Sequence, residues 1–290
     1  MFADRPVLAG VWYVDGDAEV HGHDFVELAV IGHGTGQHVN VHGKQPLTRG
    51  DLLVLRPGAW HGFVDCVDLE VANCCLSVQA LDGRLSLLYS DPVLRRLLWT
   101  DPVLAGRQGS HAVRLRADAA SAGVAAIRRL GAVRGSGLSL LGQLLSTLGV
   151  LVDALPDRPS ATTAESRGAV PEGVREIAGL LSAAPERSWR VEELADVAAL
   201  DPDYLGRVFR THFGVSPMAY LARIRVERAA HLLTNTGEPV ARIGVLVGWS
   251  DPTYFARRFR QLTGVTPTTY RRRANAYDIG APRPGDQAIS

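Results

Sequence analysis

A twenty-residue stretch occurs twice in the chain, fifty residues apart. DPDYLGRVFRTHFGVSPMAY begins at Asp201 and DPTYFARRFRQLTGVTPTTY at Asp251, with ten identities in twenty positions. Self-similarity at a fixed offset marks one supersecondary unit used twice. In each copy an aspartate precedes a proline, the order expected of an N-cap followed by the first helical residue. The apolar residues Leu205, Val208 and Phe209 in the first copy, and Phe255 and Phe259 in the second, recur at helical spacing. Gly214 and Gly264 stand where a C-cap is needed, and Ser216-Pro217 and Thr266-Pro267 then open another helix.

A shorter amphipathic helix is expected upstream of each copy, over 191–198 and over 240–247. Ala195 and Gly244 are small where two helices must cross. A short helix, a tight turn and a capped second helix make a helix-turn-helix. Residues 217–233 read as one helix between the units. Seventeen residues at about 1.5 Å each span roughly 25 Å, the order of one DNA turn. Charge agrees with this. The chain carries a net charge of +1, but residues 171–273 hold +4 and the remainder −3. The positive excess therefore lies where phosphates would be met.

The N-terminal half has a different texture. Residues 7–78 read as short strands broken by glycine, with alternation clearest over Phe25–Ile31 and Asp51–Leu55, a pattern of small β-barrels and sandwiches. Residues 81–155 read as helical. Leu138, Leu141, Leu145, Leu148, Val152 and Leu155 form one apolar stripe, which is expected to pair two chains into a homodimer. Residues 156–169 have linker composition, and 275–290 carry no periodicity and read as a disordered tail. The domain limits expected are therefore 1–155, a linker over 156–169, and 170–274. Cys66, Cys74 and Cys75 lack metal-type spacing and read as reduced strand thiols.

Residues 171–273 resemble the paired helix-turn-helix domain of AraC/XylS-type regulators, and GWSDPTYFARRFRQLTGVTPTTYR is close to that family's signature. The resemblance implies double-stranded DNA as partner. It implies base readers at Asp203, Gly206 and Arg207 in the first unit and at Thr253, Tyr254 and Arg257 in the second. Arg210 and Arg260 are expected at phosphates. Arg207 and Arg257 stand out, since a guanidinium can bond guanine O6 and N7 together. Gly206 departs from the usual long polar residue and takes a side chain out of the groove. Arg257 and its neighbours are therefore expected to discriminate more than the first unit does. Gly244 replaces a more usual alanine and is expected to loosen its unit.

His21-Gly22-His23-Asp24-Phe25-Val26-Glu27-Leu28, followed by Gly34, and later Arg56-Pro57-Gly58-Ala59-Trp60-His61 resemble the two halves of a cupin barrel. The second half has one residue more between Gly50 and Pro57 than the enzyme-type motif. The fold class expected is α+β: a cupin-like barrel with flanking helices, then an all-α domain of two helix-turn-helix units joined by a long helix. In metal-binding cupins the ligands fall at positions matching His21, His23, Glu27 and His61, which leaves a divalent metal open as a cofactor. In sugar-responsive regulators of this form the same positions hold the barrel together or line an effector pocket. His21, His23, Glu27, Trp60 and His61 are accordingly effector-site candidates, and Trp12 and Trp60 are candidates to stack on a sugar. His33, His38 and His42 read as surface.

The chain is therefore read as a non-enzymatic regulator, with activation, a sugar-like effector and RNA polymerase as a further partner implied by the resemblance. The alternative is a metal-dependent cupin enzyme or metal sensor fused to a DNA-binding domain. No phosphate-binding glycine loop, Ser/His/Asp motif, secretory signal or run of about 18 apolar residues is present, and a cytoplasmic protein is expected.

Overall fold

The structure, a computed structural model, describes residues 5–40, 42–104, 109–116, 118–156 and 170–277. Seven antiparallel strands form the N-terminal half: β1 (Val7–Gly22), β2 (Phe25–Ile31), β3 (Thr35–Asn40), β4 (Gly43–Leu47), β5 (Asp51–Leu55), β6 (Trp60–Ser77) and β7 (Ser110–Arg114). The order is β4-β3-β6-β2-β5-β7, and β1 pairs with β6. At 18 residues, β6 is long enough to pair with β1 along most of its length, with β3 near its start and with β2 near its end. The sheet therefore curls into a half-barrel.

Alternation along β2 predicts one buried face, yet all seven of its residues are buried. Both faces are covered. Val26, Leu28 and Val30 meet a layer of helices, while Ala29 and Ile31 line the barrel interior with Leu53, Phe63 and Leu69. The helices are α1 (Val78–Asp82), α2 (Pro92–Arg95), α3 (Asp101–Leu104), α4 (Ala119–Gly131) and α5 (Gly137–Asp153). A 3-10 turn at Ser86–Ser90 precedes α2, and a wide turn at Arg96–Thr100 joins α2 to α3. The stretch 81–155 is thus not helical throughout. Ser110–Arg114 adds an edge strand to β5, too short for its alternation to register against the helices around it.

The expected single stripe on α5 splits into two faces. Leu144, Leu148, Leu151 and Leu155 are buried in the core under the sheet, and Leu148 is only 1% exposed. Leu138 is 80% and Leu145 41% exposed, with Val152 half-buried beside them, while half-buried Leu141 packs against the core. Leu148 therefore belongs to the chain's own core and not to an outward stripe.

The C-terminal half contains α6 (Glu172–Ala183), α7 (Val191–Val197), α8 (Pro202–Phe213), α9 (Pro217–Asn235), α10 (Val240–Leu246), α11 (Pro252–Thr263) and α12 (Pro267–Tyr277). Two apolar cores form. One joins α6, α7, α8 and the start of α9; the other joins the end of α9 to α10, α11 and α12. The caps fall as the repeat requires. Asp201 accepts from the backbone N–H groups of Asp203 and Tyr204, and Asp251 from those of Thr253 and Tyr254. Gly214 and Gly264 take φ of +79° and +89°, the left-handed region that a side chain disfavours.

Gly244 does the reverse of loosening its unit. A Cβ there would lie 2.9 Å from Phe255 Cδ1 and 3.0 Å from the Trp249 carbonyl, so glycine permits the tighter crossing of α10 on α11. Helix α12 runs to Tyr277, into the segment expected to be a disordered tail. The rest of that tail, 278–290, and linker residues 157–169 lie outside the described residues.

Candidate nucleic-acid interface and histidine cluster

The two recognition helices present matching outward faces. Asp203, Tyr204, Arg207 and Arg210 are exposed on α8, and Thr253, Tyr254, Arg257 and Arg260 on α11. Arg207 lies 5.7 Å from the Tyr204 ring centroid and Arg257 5.4 Å from that of Tyr254. At that range each tyrosine can brace the arginine by a cation–π contact. Tyr204, not among the residues singled out in the first unit, thus joins the face; its counterpart Tyr254 in the repeat is the signal that points to it. Gly206 differs from the expectation. It is buried, and the place its Cβ would take is 3.6 Å from Arg210 Nη2. Arg210 lies over the gap that the missing side chain leaves. On the second unit, Arg257 and Arg260 flank a shallow concavity of about 550 Å³ with Ala256, Gln261, Gly264 and Thr266.

The barrel end nearest the DNA-binding domain collects histidines. His23 comes from the turn between β1 and β2, Glu27 from β2, and His61 from β6. All three are buried, and one ligand atom from each lies within 4.8 Å of the others. His23 Nε2 is 3.2 Å and His61 Nε2 3.9 Å from Glu27 Oε2. The 3.2 Å contact lacks hydrogen-bond alignment, so His23 Nε2 and both ring nitrogens of His61 are buried without a hydrogen-bond partner. A buried polar atom left unpaired costs about 1–3 kcal/mol; with His38 Nε2, also unpaired, the cluster holds four, which call for an explanation.

The rings of His21 and His61 lie tilted against each other, with centroids 4.6 Å apart. His38 corrects the expectation of a surface residue: it is 1% exposed, its ring 5.7 Å from that of His61. Its β3 position places it against β6, facing inward. Alternation in β3 is masked by the polar residues around it, so single-strand reading misses it. His33 and His42 do lie at the surface, both exposed. Burial drives His21 and His38 down to about 4, opposed in part by the Glu19 carbonyl and Glu27 at His21 and by Glu27 at His38, and pushes His61 well below the ordinary histidine range. These imidazoles are neutral at pH 7, the form that ligates metal.

Two buried imidazole nitrogens and a carboxylate oxygen in one small space fit a divalent transition metal, with positions left open. His23, Glu27 and His61 would hold it; the structure does not draw His21 into that set. Trp60 is a second correction. It neighbours His61 in sequence, but side chains alternate along a strand. Its ring packs instead in the core of the second helix-turn-helix unit, 6.3 Å from Tyr270 and 5.0 Å from the Arg273 guanidinium. Trp12 lies flat over Gly10, where a Cβ would come within 2.8 Å of the ring. The three cysteines are free and buried. Burial raises Cys74 to about 12 and moves Cys75 upward as well, with Glu27 adding to it, so neither is a thiolate at pH 7.

Residues 194–273 match the family model described as "Helix-turn-helix domain", and residues 12–80 the one described as "AraC-like ligand binding domain". The chain is 26% identical over 241 residues to the HTH-type transcriptional activator RhaR of Enterobacter sp. (strain 638), covering 80% of this chain and 79% of that protein. It is also 26% identical over 251 residues to RhaS of the same strain. ToxT from Vibrio cholerae shares the fold, with a TM-score of 0.53 at 12% identity over 92% of this chain and 98% of that one. Fold and site together define a DNA-binding transcription regulator with an N-terminal ligand-binding domain. The chain belongs to the AraC family of such regulators, which is not a family of enzymes, and the reading as a cupin enzyme is set aside. Among the described residues, no helix is long and apolar enough to cross a membrane.

Proposed function

We propose that the chain is a cytoplasmic transcription activator. In this reading an effector bound at the histidine end of the barrel controls DNA reading by α8 and α11. The observation that carries it is the placement of the cluster. The turn that supplies His23 to the barrel is the same turn that the DNA-binding domain holds. The His23 carbonyl accepts from Tyr270 Oη at 2.9 Å, and the Asp24 carboxylate meets His231 at 2.6 Å and Asn235 at 2.9 Å. A ligand that repositions His23 or Glu27 must strain or relieve these bonds, and so has different free energy in different domain arrangements.

In this reading Arg207 and Arg257 contact bases, with Asp203, Thr253 and Tyr254 beside them, while Arg210 and Arg260 contact phosphates. Two chains pair through the outward face of α5, where Leu138, Leu145 and Val152 stand near Gly142 and Gly149, two glycines with open space beside them. Activation comes from likeness to RhaR and RhaS, whose names call them activators, and contact with RNA polymerase from the family resemblance alone. Small polar molecules, sugars first, are the effectors to screen. A thermal-shift panel is the direct experiment: a binder at 100 times its Kd raises stability by about 2.7 kcal/mol. The reading holds if that binder also changes operator affinity, and fails if it leaves operator affinity unchanged.

The unpaired nitrogens of His23 and His61 favour a second reading, in which the effector is a divalent metal ion. Dialysis against Zn2+, Ni2+ or Co2+ followed by metal analysis separates the two. One bound ion per chain, lost in His61→Ala, supports the metal; none in either protein excludes it.

A further inference from the structure

The N-terminal domain enters both DNA-reading units, and does so in parallel ways. Trp99, from the turn after α2, lies in the core of the first unit, its ring centroid 4.5 Å from that of Tyr220. Trp60 lies in the core of the second, against Tyr270. Those two tyrosines are repeat partners, fifty residues apart.

The recognition helices are held at repeat-equivalent points as well. Arg95 Nε donates to the His212 carbonyl at 3.1 Å in the last turn of α8, while its Nη1 donates to the Tyr89 carbonyl at 2.9 Å. Fifty residues on, the Leu262 carbonyl in the last turn of α11 accepts from Arg223 Nη1 at 3.1 Å. A cation at a helix C-terminus satisfies an orphan carbonyl and suits the helix dipole. Arg95 belongs to the N-terminal domain. Arg223 belongs to α9, but its Nη2 donates to the Pro57 carbonyl at 2.8 Å and its Nε to Glu227 at 2.9 Å.

Arg56 closes the arrangement. It grips both oxygens of Glu227 at 2.7 and 2.8 Å, donates to the Leu98 carbonyl at 2.7 Å, and lies 4.0 Å over the Trp99 ring. The fit between the halves is close. A Cβ at Gly22 would lie 2.5 Å from Tyr270 Cε2, and one at Gly109 2.2 Å from Arg223 Nη2.

We propose that the N-terminal domain is a two-point clamp that fixes how far apart, and at what angle, the recognition helices α8 and α11 stand. Arg95 and Trp99 hold the first point, Arg56 and Trp60 the second, and all four are positioning residues for operator spacing. The proposal rests on DNA reading by α8 and α11. Its competitor is also visible in the structure. Arg225 donates to the Pro185 and Arg187 carbonyls of the first unit at 2.7 and 2.8 Å, and lies 5.6 Å from the Trp249 ring of the second. If that joint and α9 suffice, the N-terminal domain contributes nothing to spacing.

One inserted base pair moves the second half-site by about 3.4 Å and turns it by about 35°. A clamped reader is penalised by that shift, and a loose one accommodates it. The test uses full-length protein and a duplex selected by it from a randomised pool. That duplex, a version with one base pair inserted between the half-sites, and a single half-site duplex are titrated by fluorescence anisotropy. We expect the wild type to lose at least about tenfold in affinity on insertion, and Arg95→Met and Arg56→Met to lose under about threefold, with half-site binding unchanged in both.

Arg56→Met leaves Glu227 paired only with Arg223 and is the variant more exposed to folding failure. Arg95→Met loses bonds to two backbone carbonyls and the attraction of Asp91, and a melting curve checks that it folds. Undiminished spacing discrimination in folded Arg95→Met overturns the clamp, as does a wild type indifferent to the insertion. Failure of the wild type to enrich any duplex overturns DNA reading itself, and is distinguished from clamp failure by the absence of half-site binding.

Discussion

Arg257 and Arg207 occupy equivalent places, yet their settings differ, most directly at the residue before each. The position before Arg257 is Ala256, while the position before Arg207 is Gly206, covered by Arg210. Arg257 therefore has the freer approach to a base edge. Arg257→Ala is expected to cost about 1–3 kcal/mol of discrimination at one base pair, and more than Arg207→Ala, in binding assays on single-base variants of the selected duplex. A larger loss in Arg207→Ala reverses the ranking. Glu227 sits between two buried arginines. Burial alone would raise its carboxyl, but Arg56 and Arg223 more than offset this and hold it below the usual carboxylate range. Glu227→Gln removes the one counter-charge and is expected to destabilise by about 3–5 kcal/mol, read by urea unfolding. Because the folded-state pKa is depressed, the charged pair stabilises fully above the unfolded value of about 4.3 and fades as pH falls through the folded one. The gap between wild type and Glu227→Gln should therefore be constant above about pH 5 and narrow below about pH 4. None of this was legible in the sequence. Arg56 and Glu227 are 171 residues apart, and a buried ion pair between domains leaves no periodic trace.

At the scale of elements, the repeat was the most legible feature because its cues are local. Caps, the glycine after each recognition helix, and apolar spacing all act within one or two turns. Helix α5 was read less well. Its apolar residues recur densely enough to cover two faces, and spacing alone cannot say which faces inward. The structure assigns them, and the assignment is testable. Leu148→Ala should destabilise the fold by about 2–5 kcal/mol, the cost of deleting a buried leucine side chain. Leu138→Glu with Leu145→Glu should leave the melting temperature of dilute protein near that of wild type and convert the proposed dimer to monomer in sedimentation equilibrium. A double variant that remains dimeric removes α5 from the interface. The histidine cluster was legible in part. His21, His23, Glu27 and His61 carry motif spacing, whereas His38 reaches the cluster only because the half-barrel curls β3 over β6.

The whole molecule joins an effector-type barrel and a DNA reader through buried polar contacts and not through a passive linker alone. Trp60 and His61 show how short the path is: adjacent on β6, one side chain lies in the core of the second unit and the other in the histidine cluster. Sequence reading placed both in the effector site, because it cannot tell which face of a strand meets another domain. In the proposed function the two recognition helices belong to one reader, and both arginines are required. Its most direct test is an anisotropy titration of the selected duplex with full-length wild type and with Arg207→Ala/Arg257→Ala. Two lost bidentate contacts should cost roughly 2–6 kcal/mol, about thirtyfold or more in specific affinity, with binding to random-sequence duplex retained. Equal affinity of the two proteins for the selected duplex would contradict the assignment of α8 and α11 as the elements that read DNA.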